Sequence, residues 1–214
     1  MPQIVLVRHG QASFGGPNYD VLSDVGVRQV QLARAALDER GIKPSVVVCG
    51  SLQRQRDTAA AWDQDAVVDP RWNEYESADV LRGHGAPGLS PENPGGDTRA
   101  FQAVLDEALA AWVATAESPC EEPWPAFYAR VGAAFDAVAD RLGPGETALV
   151  VTSGGAIAAV ATRLLDVPHA QFLNFNRVTV NAAFTKVVIG RSGRTLVSFN
   201  EHDHLDRAGL VTYR

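Results

Sequence analysis

The stretch Ile4-Val5-Leu6-Val7-Arg8-His9-Gly10 decides the reading of this chain. Four consecutive apolar residues, mostly β-branched, stop at once on two basic side chains and a glycine. A run so short and continuous predicts a strand buried on both faces, as in a parallel sheet covered by helices. Arg8 at its carboxyl end is costly to bury unless it meets an anion. Two further runs repeat the pattern. Pro44 introduces Val46-Val47-Val48-Cys49, which Gly50 and Ser51 end; Ala148-Leu149-Val150-Val151-Thr152 ends on Ser153-Gly154-Gly155. Between the first two, Asp24 to Arg40 carries Val27, Val30, Ala33 and Leu37 at spacings of three or four, with Ser23 as cap and Gly41 as stop. That periodicity predicts an amphipathic helix. After the second run a polar, helix-like stretch holds Arg54, Arg56, Asp57 and Thr58. Strand, helix, strand, helix is the signature of an α/β fold on a parallel sheet.

The remainder fits around this frame. A loop with Gly15, Gly16 and Pro17 follows the first strand, and Asp79 to Thr98, rich in Gly and Pro and containing His84, reads as a long loop. Helices are expected over Arg99 to Ala116 and Pro125 to Leu142, split by the breaker-rich segment from Ser118 to Pro123. The chain therefore reads as one domain over residues 1–214, with a loop and helical insertion at about 79–142 whose Trp112 and Trp124 belong to the core. Ala156 to Leu165 predicts an apolar helix stopped near Pro168, with His169 at a helix end. Thr179 to Ile189 and Thr195 to Phe199 predict a β-hairpin about Gly190-Arg191-Ser192-Gly193 on the sheet edge.

Composition narrows the function. At 214 residues, 46% hydrophobic and 21% charged, the chain is long enough for a sizeable core. A net charge of −6 argues against nucleic acid or an anionic membrane as the main partner. No apolar run approaches the ~18 residues that span a bilayer, and the opening residues lack a charged leader before a long apolar segment. Of the two cysteines, Cys49 falls in an apolar run and reads as a buried thiol rather than a disulfide or metal ligand. A reducing, cytoplasmic setting is expected.

Ligands of open α/β sheets bind beyond the carboxyl ends of the strands, where this chain places Arg8-His9-Gly10, the Ser51 to Arg54 region and Ser153-Gly154-Gly155. Two arginines, one at a helix start where amides face anions, suit a phosphate. An imidazole beside it suggests nucleophilic catalysis by neutral His9. The leaving alkoxide then needs an acid, and spacing alone leaves Glu74 and Glu76 as equal candidates. The run Asn200-Glu201-His202-Asp203-His204 reads as a solvated tail rather than a metal site. Ser153 at a strand-to-helix turn could be a hydrolase nucleophile, but Val151-Thr152-Ser153-Gly154-Gly155 lacks the first glycine of a nucleophile elbow.

Residues 5–13, VLVRHGQAS, resemble the opening signature of the histidine phosphatase superfamily, the phosphoglycerate mutase-like proteins. Leu22-Ser23 with Gly26 and Gln29, Leu52 with Arg54, Thr58 and Ala59, Trp72-Asn73-Glu74, and Val150-Val151-Thr152 with Gly154-Gly155 resemble the family's later landmarks in order, from residue 4 to about 160. The resemblance implies a three-layer α/β/α sandwich on a mainly parallel sheet, no metal or cofactor, a small phosphorylated substrate and a phosphohistidine intermediate. It implies His9 as nucleophile, Arg8 and Arg54 as phosphate ligands, and Glu74 rather than Glu76 as proton donor. Ser153 stands where the family has a second histidine that helps bind the phosphoryl group. With Gly154 it is expected on the phosphate as a neutral donor, weaker than a charged one. His84, His202 and His204 are the histidines available to compensate. The expected function is a phosphomonoester hydrolase; the alternatives are a catalytically weak or inactive binder of a phosphorylated ligand, or a phosphoglycerate mutase-type phosphotransferase. Nothing in the sequence decides the oligomeric state.

Overall fold

A computed structural model describes residues 1–13, 18–62, 65–96, 98–115 and 117–213. The expected loop at Gly15 to Pro17 and the expected helix end at Ala116 lie outside the described residues. In chain order the elements are β1 (Gln3–Arg8), α1 (Asp24–Glu39), β2 (Val46–Cys49), α2 (Gln53–Ala59), β3 (Val67–Val68), α3 (Ser77–Gly83), α4 (Thr98–Ala114), α5 (Trp124–Ala139), β4 (Thr147–Thr152), α6 (Gly154–Leu164), α7 (Phe172–Val178), β5 (Phe184–Gly190), β6 (Gly193–Glu201) and α8 (Asp203–Asp206).

The sheet order is β3-β2-β4-β1-β5-β6. β1 pairs in parallel with β4, and β4 with β2, in a register that sets Arg8 opposite Thr152 and Cys49 opposite Val151. Three strand ends therefore finish at one level, and the residues just past them share one edge of the sheet. β5 and β6 run antiparallel, so the sheet is mixed.

Strand alternation distributes the apolar runs between two layers. Ile4, Leu6, Val48, Ala148 and Val150 face one core with side chains of α3 to α7, while Val5, Val7, Val47, Cys49, Leu149 and Val151 face another with α1 and Leu205 of α8. This is the expected α/β/α sandwich. In α1, Ser23 Oγ accepts from the Gly26 amide at 3.0 Å, and Gly41 at φ 66° follows its end. Val30, Ala33 and Leu37 are buried as the periodicity requires; Val27 is not, because Gly26 and Gln29 take the inward face instead.

Three expectations are corrected, and one helix was not expected. The Gly/Pro stretch begins with helix α3, whose Val80 and Leu81 are fully buried, so only its later part is irregular. Helix α7, where no element was expected, spans Phe172–Val178 and is anchored by buried Phe172. The first arm of the hairpin starts at Phe184 rather than Thr179, because residues 179–183 bend around His9, with Ala182 at φ 57°. The run ending at His204 is not a solvated tail. His204 stacks on Phe184 at 4.5 Å and meets the Ala182 carbonyl through Nε2, and Leu205 is buried.

Trp112 and Trp124 do lie in the core, with ring centroids 5.3 Å apart. Phe127, Phe172 and Tyr75 join them, Trp124 reaching Phe172 at 4.7 Å and Trp112 reaching Tyr75 at 5.5 Å. The helical layer is thereby tied to the segment that carries Glu74, since Trp72 and Tyr75 on either side of it are both buried. Among the described residues no helix is long and apolar enough to cross a membrane.

Candidate active site

The strand ends open into a cavity of about 700 Å³. Arg8, His9, Arg54, Glu74 and Gly154 line one end of it, so the structure brings five of the six expected site residues together. Ser153 is fully buried and does not line it.

His9 emerges directly from β1, and its backbone is clamped. Its amide donates to the Thr152 carbonyl at 2.9 Å, and its carbonyl accepts from Asn181 Nδ2 at 3.2 Å. The ring orientation follows from its partners. Nδ1 lies 2.7 Å from the Gly10 carbonyl, which can only accept, so Nδ1 carries the proton. Nε2 is left with its lone pair, toward which Arg54 Nε donates at 3.2 Å. Burial, then the charges of Arg54 and Arg8, hold the pKa of His9 well below the ordinary imidazole range. Gly10 is required here: a Cβ would sit 2.6 Å from the Gly26 carbonyl oxygen of α1.

Arg54 is buried and held by a residue the sequence reading passed over. Asp20 Oδ1 pairs with its Nη1 at 2.6 Å, and Asp20 Oδ2 accepts from the Gln53 amide at 2.8 Å. The start of α2, expected to offer its amides to an anionic ligand, is instead capped by this carboxylate. Tyr19 closes the other side, with the guanidinium carbon 5.1 Å from its ring centroid. Asp20 could not be singled out from sequence because nothing local connects it to a helix 33 residues away.

Arg8 Nη1 donates to the Thr179 carbonyl and, at 2.9 Å, to that of Tyr213. Its Nε is buried without a hydrogen-bond partner among the described residues. It lies 3.6 Å from where a Cβ of Gly154 would stand. An unpartnered guanidinium hydrogen is expensive to bury, and an anion in the cavity is the group that would satisfy it.

Glu74 Oε2 accepts from the Gly155 amide at 3.0 Å and Oε1 from the Tyr75 amide at 3.2 Å. A Cβ at Gly155 would collide with this carboxylate, which explains the second glycine of the turn. Gly155 thus serves Glu74 rather than offering its amide to a phosphate. Burial raises the pKa of Glu74; the two amides, Arg54 and Arg8 oppose that rise. Glu76 has another task, accepting from the Ala78 amide at the start of α3. The histidines considered as substitutes lie elsewhere: His84 beside Ser118, His202 on the Asn200 carbonyl, His204 under the sheet. Among the described residues no group of three or more His, Cys, Asp or Glu side chains is placed to hold a metal ion.

A family model described as histidine phosphatase superfamily (branch 1) matches residues 4–202. The chain belongs to the histidine phosphatase superfamily. Among solved structures of the same fold, the product of an open reading frame of Mycobacterium tuberculosis is 23% identical, with a TM-score of 0.69 over 94% of this chain and 97% of that one. A mycobacterial glucosyl-3-phosphoglycerate phosphatase is 25% identical, with a TM-score of 0.67 over 93% and 98%. The alpha-ribazole phosphatase of Shigella flexneri is 20% identical, with a TM-score of 0.68 over 94% and 96%.

Proposed function

We propose that this superfamily member is a metal-independent phosphomonoester hydrolase acting through a phosphohistidine on His9. The observation that carries this reading is the His9 ring itself, with Nδ1 tied to Gly10 and the Nε2 lone pair presented to Arg54 beside Glu74. Similarity to solved phosphatases of the same fold supports it.

In the first step Arg54 Nε passes from His9 Nε2 to a phosphoryl oxygen, the freed Nε2 lone pair attacks phosphorus, the bond from phosphorus to the ester oxygen breaks, and protonated Glu74 gives its proton to the leaving alkoxide. Water then attacks the phosphohistidine, Glu74 takes its proton, the phosphorus–nitrogen bond breaks, and phosphate leaves with His9 neutral again. Arg8 Nε and Arg54 bind the phosphoryl oxygens, neutralising charge as it spreads over them. Gly154 has no side chain to intrude. Ser153 is a phosphate ligand only through its hydroxyl. A phosphorylated small molecule is the substrate, and a cytoplasmic setting suits Cys49 and Cys120, both buried and unpaired.

The deciding experiment is release of inorganic phosphate from a panel of phosphorylated metabolites and one aryl phosphate, parent against His9→Ala, without added metal. Activity lost with His9 supports the mechanism; equal activity in both sinks it. A second reading, a weak or inactive phosphate binder, is motivated by Ser153, a neutral hydroxyl where the family resemblance implies a second histidine. That reading expects no turnover from either protein, with phosphate still protecting the fold against heat. The sequence shows no motif tied to retaining a bisphosphorylated intermediate, so a mutase is less well supported.

A further inference from the structure

We infer that Gln55 is a positioning residue that turns the Ser153 hydroxyl into a hydrogen-bond donor for the phosphoryl group, supplying part of what a histidine would. The inference rests on the reading of the His9 centre as an oxyanion site. Gln55 follows Arg54 on α2, and both it and Ser153 are fully buried. Its Nε2 lies 2.8 Å from Ser153 Oγ and 3.2 Å from the Trp72 carbonyl oxygen. That carbonyl can only accept, so the amide cannot be turned round: an oxygen facing it would meet another oxygen. Both amide hydrogens are thereby committed, one to Trp72 and one to Ser153. Ser153 Oγ must accept from Gln55, and its single hydrogen points elsewhere.

No described group accepts that hydrogen. A fully buried hydroxyl donor without a partner is costly, as is the unpartnered Arg8 Nε, and an oxyanion in the cavity is the group that could satisfy either. The chain on either side of Ser153 already belongs to the site: the Thr152 carbonyl holds the His9 amide, and Gly154 lines the cavity. Accepting from an amide also polarises the hydroxyl and strengthens the bond it donates.

Gly50 completes the arrangement. A Cβ there would collide with Gln55 Oε1. The φ of Gly50 is not positive, so this contact, not backbone freedom, accounts for the glycine. Residues from the ends of β2 and β4 and from α2 thus fit one another around a single amide. If Gln55 were only a tie between α2 and the sheet, the direction of its bond to Ser153 would be immaterial.

The test compares parent, Ser153→Ala, Gln55→Leu, Gln55→Glu and the double variant Gln55→Leu/Ser153→Ala. The readouts are kcat and KM on an aryl phosphate, affinity for orthovanadate as a non-reacting oxyanion, and melting temperature. Ser153→Ala is expected to lower kcat about 100-fold, the low end for loss of a transition-state donor. Gln55→Leu should lower it about tenfold, and should have no further effect in the Ser153→Ala background. Gln55→Glu, when ionised, can only accept and would draw the Ser153 hydrogen to itself. It should lose activity as pH rises through its own titration and regain it on acidification, a limb absent from the parent. The inference is overturned if the Gln55 variants keep parental kcat and vanadate affinity while changing melting temperature, or if the loss in Gln55→Leu persists undiminished without Ser153. Should Gln55→Leu fail to fold, the pH profile of Gln55→Glu decides. A parent that binds vanadate without turnover overturns the hydrolase reading alone, and the vanadate series still tests Gln55; a parent that binds none overturns both.

Discussion

Two parts of the cavity lining are built differently. At the strand end each working side chain is fixed by its neighbours: His9 by Gly10 and Arg54, Arg54 by Asp20, Glu74 by two amides, Arg8 by two carbonyls. Away from them α4 contributes Phe101, Gln102 and Leu105 to the lining, with Arg99 and Arg177. Arg177 is more than half exposed and held by one ion pair to Asp106. Phosphoryl transfer needs charges already in place, because any reorganisation is added to the barrier. Selection among the remaining parts of substrates needs only shape and charge. On the proposed mechanism, the contrast assigns chemistry to the fixed group of side chains and choice to the rest of the lining.

The comparison breaks most simply at His9. His9→Ala should lower kcat for every substrate by at least about 10,000-fold, as loss of a nucleophile does elsewhere; a residual rate that varied among substrates would put chemistry in the rest of the lining too. Glu74→Gln should cost about 100- to 10,000-fold for alkyl phosphates, and much less for an aryl phosphate whose leaving group needs no proton. Equal losses on both would make Glu74 a structural group.

The pH dependence sharpens the same point. His9 must be neutral and Glu74 protonated to start the reaction. Because the His9 pKa is lowered, activity should fall on acidification only below the ordinary imidazole range. Because that of Glu74 is raised, the alkaline fall should begin above the ordinary carboxylate range. Each limb approaches a tenfold change per pH unit, and a kcat/KM profile for the parent and Glu74→Gln shows which limb belongs to Glu74. Asp20→Asn keeps an oxygen to cap α2 but removes the negative charge paired with Arg54, and about a tenfold loss in kcat is expected. Asp20→Ala should lose more and also lower the melting temperature, since the cap goes too. The smallest effect belongs to the rest of the lining. Arg99→Ala should raise KM a few-fold for anionic substrates long enough to reach it, with under a twofold change for a small aryl phosphate. An equal change on both would remove the division of labour.

Much of the strand end was legible because its information is local. An apolar run that stops on Arg8-His9 or on Ser153-Gly154-Gly155 reveals both the buried strand and the polar group at its end, and strand register does the rest. Spacing did not separate Glu74 from Glu76; only the resemblance of Trp72-Asn73-Glu74 to a family landmark favoured Glu74. Asp20, Gln55 and helix α7 were not legible. Asp20 looks like any loop carboxylate, Gln55 like any helical amide, and the seven residues of Phe172–Val178 are too few to show a helical period, so burial of Phe172 against the core settles that segment. The tail was misread because polar residues frame a single inward leucine, Leu205.

The sequence by itself determined the alternation of buried strands and helices, the strand ends as the place where polar side chains gather, and the imidazole and arginines proposed to react there. These follow from short-range hydrophobic patterning and from the cost of burying charge without a partner. Only the tertiary structure decided that Asp20 holds Arg54, that Gly155 serves Glu74, and that Gln55 reaches Ser153. Such bonds join residues far apart in the chain, and hydrogen-bond direction and burial exist only once the layers have packed around them.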